Sequence, residues 1–113
     1  MKQKPIIWTI SGADCSGGAG IAADIKTGHQ LGVEVCSLIT ANTVQNSKKL
    51  VSVNPVEIKI LQQQLDVLIE DKPPAVIKIG LIVNAEQLAW LCQAIKQLRQ
   101  YLVDLSVVYD PVA

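Results

Sequence analysis

The sequence predicts an α/β fold: a right-handed, mostly parallel sheet with helices on its faces. Three observations lead there. Strand-like and helix-like periods of apolar residues alternate in the order β-α-β-(β)-α-β-α-β. The strand-like run over 33–40 is nearly continuous in its apolar residues, as in sheets covered on both faces. Residues 6–26, IIWTISGADCSGGAGIAADIK, pass from an apolar strand through a glycine-rich turn into a helix. That geometry gathers backbone N–H groups and a helix N-terminus at one point, which suits an anion or the polar edge of a small molecule.

Taken in order, residues 6–10 form the first strand. Gly12, Gly17, Gly18 and Gly20, with Ser11, Ala13, Ser16 and Ala19, form the turn. A helix begins near Ala19, carries Asp24 and Lys26 in its first turns and Ile21, Ile25 and Leu31 as apolar positions, and ends at Gly32. The second strand covers 33–40, followed by a polar loop over 41–49 and a short extended piece at 50–53. Asn54-Pro55-Val56-Glu57 reads as a helix start, with Asn54 as cap, Pro55 at the first helical position and Glu57 completing the pair. Ile58, Leu61, Leu65, Leu68 and Ile69 supply that helix's buried stripe. Lys72-Pro73-Pro74 ends it, and 75–79 is a strand closed by Gly80. Asn84 with Gln87 caps a third helix with the stripe Leu88, Leu91, Ile95 and Leu98, and Trp90 packs at its flank. The last strand, 105–109, delivers Asp110 at its C-terminal end.

A chain of 113 residues suffices for one domain, burying somewhat over ~60% of its unfolded surface. Ten Lys and Arg balance ten Asp and Glu, so net charge gives no reason to expect nucleic acid or an anionic membrane. Half the residues are hydrophobic, yet no run approaches the ~18 apolar residues of a membrane span. The opening Met1-Lys2-Gln3-Lys4 precedes only a short strand interrupted by Thr9, which is not the pattern of a secretory signal. Three widely spaced cysteines, Cys15, Cys36 and Cys92, point to a reducing cytoplasm and away from a disulfide framework or zinc site.

Two glycine motifs can be tested against the turn. Gly12 to Gly17 has the spacing of a phosphate-binding P-loop, but Gly18 and Ala19 replace its Lys and Ser/Thr. Gly18, Gly20 and Ala23 match the dinucleotide pattern, but the second strand ends Leu38-Ile39-Thr40-Ala41-Asn42 without the carboxylate that would hold a ribose. A turn that only lets helix and strand pack closely remains the plain alternative. In an open α/β sheet, ligands bind outside the carboxyl ends of the strands. The polar groups expected there are Gly12 and Asp14, Asn42 and Gln45, Gly80, and Asp110.

The stretch SGADCSGGAGIAADIKT resembles the N-terminal signature of the hydroxymethylpyrimidine and phosphomethylpyrimidine kinases of thiamine biosynthesis, members of the ribokinase-like superfamily. The resemblance continues in register through Thr40-Ala41-Asn42-Thr43-Val44-Gln45-Asn46, Lys78-Ile79-Gly80-Leu81 and Asp110-Pro111-Val112. Departures are Cys15, where the family commonly has Pro, and Leu81, where it commonly has Met. The resemblance implies a three-layer α-β-α, ribokinase-like fold and ATP-dependent phosphorylation of hydroxymethyl aminopyrimidine and its monophosphate. It implies that Gly12, Asp24, Gln45 and Gly80 bind the pyrimidine and that Leu81 covers it. Asp24 as acceptor, and Gln45 as acceptor and donor, would together read the ring edge. Asp110 matches the acidic position near the ATP phosphates and Mg2+.

Each has a plainer alternative. Asp24 at a helix N-terminus gives a favourable charge of ~0.3–1 kcal/mol, Gln45 could be solvated, and Asp110-Pro111 could simply end a strand. Lys26, Lys78 and His29 read as solvated or strand-end residues. Cys15, beside a helix N-terminus, is the reactive-thiol candidate, although a passive loop residue is the simpler reading. In the resembling family the catalytic base, the anion hole and most of the nucleotide site lie in the C-terminal half. The expectation is therefore the N-terminal portion, 1–113, of a single kinase domain truncated after its N-terminal half, inactive alone and self-associating through apolar strands. The alternative is a non-catalytic pyrimidine-binding or subunit-interaction module, and a dinucleotide-dependent enzyme is a weaker third.

Overall fold

The computed structural model describes residues 4–110. Met1, Lys2 and Gln3, and Pro111 and Val112 of the terminal motif, lie outside the described residues. The elements are β1 (Ile6–Asp14), α1 (Gly20–Leu31), β2 (Glu34–Gln45), β3 (Leu50–Pro55), α2 (Ile58–Asp71), β4 (Val76–Ile79), α3 (Ala85–Leu98) and β5 (Ser106–Tyr109). They build one five-stranded sheet in the order β3-β2-β1-β4-β5. Every pairing is parallel except that of β2 with β3. Among the described residues no helix is long and apolar enough to cross a membrane.

The central strand sorts its side chains by face. Trp8 and Ile10 point to one side, where they join Leu38, Ile77 and Ile79 of the sheet and Leu61, Leu65, Leu91, Ala94 and Leu98 of α2 and α3. Trp8 is fully buried, and its indole N–H donates to the Lys72 carbonyl at 2.7 Å, tying β1 to the end of α2. Thr9 points to the other side, where α1 packs. Helices thus cover both faces, in three layers. Trp90 is half-buried against the same core and donates its indole N–H to Gln62 Oε1 at 2.7 Å, joining α3 to α2 as a packing residue.

Several boundaries depart from the sequence reading, each for a physical reason. The polar stretch after residue 40 is strand, not loop: Ala41 to Gln45 pair antiparallel with β3, and only a tight turn over 46–49 remains. Asn46 closes that turn by accepting from the backbone N–H groups of Lys48 and Lys49. The helix signal at Asn54-Pro55 is overridden by the same pairing. Asn54 bonds the Asn42 carbonyl and Ser52 hydroxyl instead of capping, and α2 starts at Ile58 after Glu57. On α1, Ile21 and Gly28 face the sheet, while Ile25 and Leu31 are 45% and 74% exposed. Leu88 likewise faces outward, and α3 buries Gln87, Leu91, Ala94 and Leu98. The C-terminal cap at Gly32 (φ 74°) and the Asn84 cap of α3 are as read from the sequence.

These burials separate two leucine-like positions that sequence periodicity treats alike. Leu61→Ala should lower stability by ~2–5 kcal/mol in urea denaturation. Ile25→Ser should change it by no more than ~0.5 kcal/mol. Equal effects would contradict the packing of α1 and α2 described above.

Candidate functional site

At the C-terminal ends of β1 and β2 and just beyond β4 lies a cleft of about 110 Å³, lined by Ser11, Gly12, Asp14, Ala19, Gly20, Thr43, Gln45 and Leu81. Three features shape it. First, β1 continues past Ile10, with a register shift opposite β2 between Ser11 and Ala13. Second, the two-residue alternation of β2 turns Thr43 and Gln45 toward the cleft and Asn42 and Val44 outward. Third, the chain after β4 folds back over β1. A Cβ at Gly80 would collide with Ser11 Oγ, so glycine is required for that approach. Leu81 then lies over Gly12, its Cδ2 3.0 Å from where a Cβ would stand.

Hydrogen bonds fix these parts. Thr43 donates its hydroxyl to the Ala13 carbonyl at 2.7 Å and accepts from Gln45 Nε2 at 2.7 Å. Gln45 Oε1 has no hydrogen-bond partner among the described residues, so it can accept from a ligand. The Leu81 N–H donates to Ser11 Oγ at 3.2 Å, and the Thr40 hydroxyl donates to the Leu81 carbonyl at 2.7 Å. Cys15 donates its thiol to the Gln45 carbonyl at 3.0 Å, which ties the turn to the end of β2 and matches a passive loop residue.

The glycine-rich turn is not the open anion site its composition suggests. Asp14 fills it. Its carboxylate accepts from the Ser16 hydroxyl at 2.7 Å and the Ser16 N–H at 2.9 Å. Those bonds, with smaller contributions from the Ala19 and Gly18 backbone N–H groups, hold its pKa below the usual carboxylate value. A negative charge already satisfied at the start of α1 repels a second anion there. What the cleft favours is a neutral, polar ring edge with an apolar cover.

Asp24 lies one helical turn beyond Gly20 on the same face of α1, outside the cleft wall. Both of its oxygens are engaged: Thr9 donates its hydroxyl at 2.5 Å and Lys78 its ammonium at 2.5 Å. Lys78 also stands 3.6 Å from Asp110, whose side chain is 68% exposed. Lys78 is a strand-end residue of β4, as read from the sequence, and is also the cation between two carboxylates. The structure brings Gly12, Gln45 and Leu81 together, with Gly80 supporting them from one position away. It sets Asp24 and Asp110 in an adjoining ion-pair cluster. Asn42 faces away from the cleft, its side chain exposed. Sequence reading missed Ser11, Thr40 and Thr43. The strand period continuing through residues 41–45 was the signal for Thr43, whereas the other two depend on the fold of the 80–83 segment.

As to a nucleotide-bound metal, no group of three or more His, Cys, Asp and Glu among the described residues could hold one. Asp110 offers a single carboxylate already facing an ammonium. The residues described do not by themselves fit a nucleotide-metal site.

A mostly parallel, three-layer sheet with its cleft at the strand ends is the architecture of the ribokinase-like small-molecule kinases. The phosphomethylpyrimidine kinase family model matches residues 14–113, and the chain belongs to that family. It is 39% identical over 104 residues to the hydroxymethylpyrimidine/phosphomethylpyrimidine kinase of Bacillus subtilis, covering 92% of this chain and 37% of that enzyme. Among solved structures, the phosphomethylpyrimidine kinase of Clostridium difficile superposes with a TM-score of 0.82 at 38% identity, over 92% of this chain and 44% of that one. The pyridoxal kinase of Staphylococcus aureus in complex with AMP-PCP and pyridoxal gives 0.80 at 25% identity, over 98% and 40%. The chain thus spans 37%, 44% and 40% of the lengths of these three relatives.

Asp14 makes the turn sensitive to acid. Because its folded pKa is depressed, its contribution to stability is present above the unfolded value, about 3.9, and is lost as pH falls through the folded pKa. Amide exchange at Ser16 should therefore accelerate relative to the core on acidification below about pH 4. In Asp14→Asn that pH dependence should disappear. A Ser16 amide indifferent to both changes would show that Asp14 does not hold the turn.

Proposed function

We propose that this chain, residues 1–113, is the N-terminal portion of a single ribokinase-like kinase domain and carries its pyrimidine-binding half. The whole enzyme would phosphorylate hydroxymethyl aminopyrimidine and its monophosphate with ATP in thiamine biosynthesis. The observation that carries this reading is the cleft of Gly12, Thr43, Gln45 and Leu81, the last three of which lie inside the family match over residues 14–113. An aminopyrimidine presents ring nitrogens and an exocyclic amine, and Gln45 Oε1 can accept from that amine. Leu81, packed on the bare backbone at Gly12, offers an apolar wall against which a ring could lie. Asp24, held by Thr9 and Lys78, presents a fixed charge beside the cleft, so a modest shift of the ligand toward α1 would reach it.

Phosphoryl transfer further needs an activator for the attacking hydroxyl, donors for the phosphoryl oxygens and a clamp on nucleotide and metal. Here the Asp14 carboxylate is bonded to Ser16 in the turn before α1, and Asp110 faces Lys78. ATP and Mg2+ would therefore rely on groups beyond those described, with Asp110 contributing one carboxylate. On this reading the isolated chain is catalytically silent. Free Cys15, Cys36 and Cys92 accord with a cytoplasmic location. Burial pushes the Cys36 thiol above its usual pKa, with help from Glu34, which keeps it a thiol.

A second reading, a pyrimidine-binding or subunit-interaction module, is favoured by the exposed apolar side chains. Val44, Leu50 and Val51 stand out on the β2–β3 hairpin, and Leu31 and Val108 border a groove of about 390 Å³ beside α1. We propose that these surfaces pair with a second copy of the chain. Light scattering across a concentration series should then show a rising mass, and a strict monomer would refute the pairing.

Calorimetric titration with hydroxymethyl aminopyrimidine and with NAD tests the ligand. The pyrimidine should bind, and Asp24→Ala should weaken it by ~1–3 kcal/mol. Tight NAD binding without a pyrimidine response would overturn the assignment. Unchanged affinity in a folded Asp24→Ala chain would remove Asp24 from the site. Pyrimidine-dependent ATP turnover by this chain would sink the claim of silence.

A further inference from the structure

Gln87 is a buried polar residue outside the cleft lining, at 2% exposure in the first turn of α3. Sequence reading treats it as half of a capping pair with Asn84. Its backbone N–H does donate to Asn84 Oδ1 at 2.8 Å. Its side chain, however, does not return to Asn84. Nε2 donates to the Thr40 carbonyl at 2.7 Å and the Val56 carbonyl at 3.1 Å, and Oε1 accepts from the Val83 N–H at 3.1 Å. Both amide hydrogens and the amide oxygen are thus spent on three backbone segments: the middle of β2, the entry to α2 and the chain after β4.

Those segments meet around Leu81. Ser11 holds the Leu81 N–H, the Thr40 hydroxyl holds its carbonyl, and Gln87 holds both the Thr40 carbonyl and the backbone two residues beyond Leu81. We propose that Gln87 is a positioning residue of the cleft: it fixes where Leu81 packs on Gly12 and so the size of the ring that fits beside that wall. It touches no ligand and acts through Leu81. The proposal deepens the pyrimidine reading and, for its ligand arm, rests on it. A buried amide with every hydrogen-bonding group satisfied holds its partners in one arrangement, whereas an apolar side chain of similar volume would not.

The test compares the wild-type chain with Gln87→Met, and with Gln87→Asn as a milder variant that withdraws the amide by one methylene. In the free chain, amide exchange at Leu81 and Val83 should accelerate at least about tenfold relative to the core amide of Ile77. A merely structural role would raise exchange uniformly, and that result, or no change at Leu81, overturns the proposal. In the ligand arm, affinity for hydroxymethyl aminopyrimidine should fall about tenfold, while an analogue one methylene larger should lose less. Against a Leu81→Ala background, the effect of either Gln87 variant should shrink below about twofold, because the side chain through which it acts is gone. A full effect in that background also overturns the proposal. If the wild-type chain binds no pyrimidine, the functional reading fails on its own, and exchange at Leu81 and Val83 still decides the role of Gln87.

Discussion

The parallel pairing of β1 with β2 on one side and β4 on the other is the constraint on which the structure depends. It places a nine-residue strand at the centre of the sheet, where both faces are covered for much of its length. The two faces then divide the labour. Trp8 and Ile10 enter the apolar core beneath α2 and α3, where Leu61 and Leu91 meet them. Thr9 and Ser11 face the α1 side, where an unpartnered hydroxyl would be costly. Each hydroxyl found a partner that matters for the site: Thr9 anchors Asp24, and Ser11 anchors Leu81.

That division leaves the cleft with little charge in its lining. Its walls are backbone, small side chains and a leucine, and its one nearby carboxylate, Asp14, is held charged by Ser16. Beside it Asp24, Lys78 and Asp110 form a row in which one ammonium serves two carboxylates. That row stands next to the cleft lining rather than in it.

Much of the fold was legible because its signals are local. Gly32 after a helical run, Asn84 before one, and the spacing of Leu61 and Leu65 each announce themselves within a turn or two. The failures have a common cause, which is tertiary pairing overriding local preference. Asn54-Pro55 carries a sound helix-start pattern, yet β3 claims it because β2 offers a ladder. The same ladder converts a polar stretch ending in Gln45 from loop to strand, and only then does the alternation of Thr43 and Gln45 point inward. Of the site, Gly12, Gln45 and Leu81 were within reach of motif and topology. Gln87 was recognised only for its cap, since its three backbone partners lie in segments that no local pattern connects.

The bond between Ser11 and Leu81 joins residues seventy positions apart. Closing so long a stretch of chain carries ~2 kcal/mol more entropic penalty than closing a five-residue hairpin turn. The β2–β3 hairpin closes over a short local turn, while the wall that Leu81 gives the cleft must wait for β4. Chains dominated by such distant pairings fold slowly. During synthesis, β1 leaves the ribosome long before its second neighbour exists, with Trp8 still uncovered on that side. The Leu81 wall of the cleft thus takes its shape only once β4 stands beside β1.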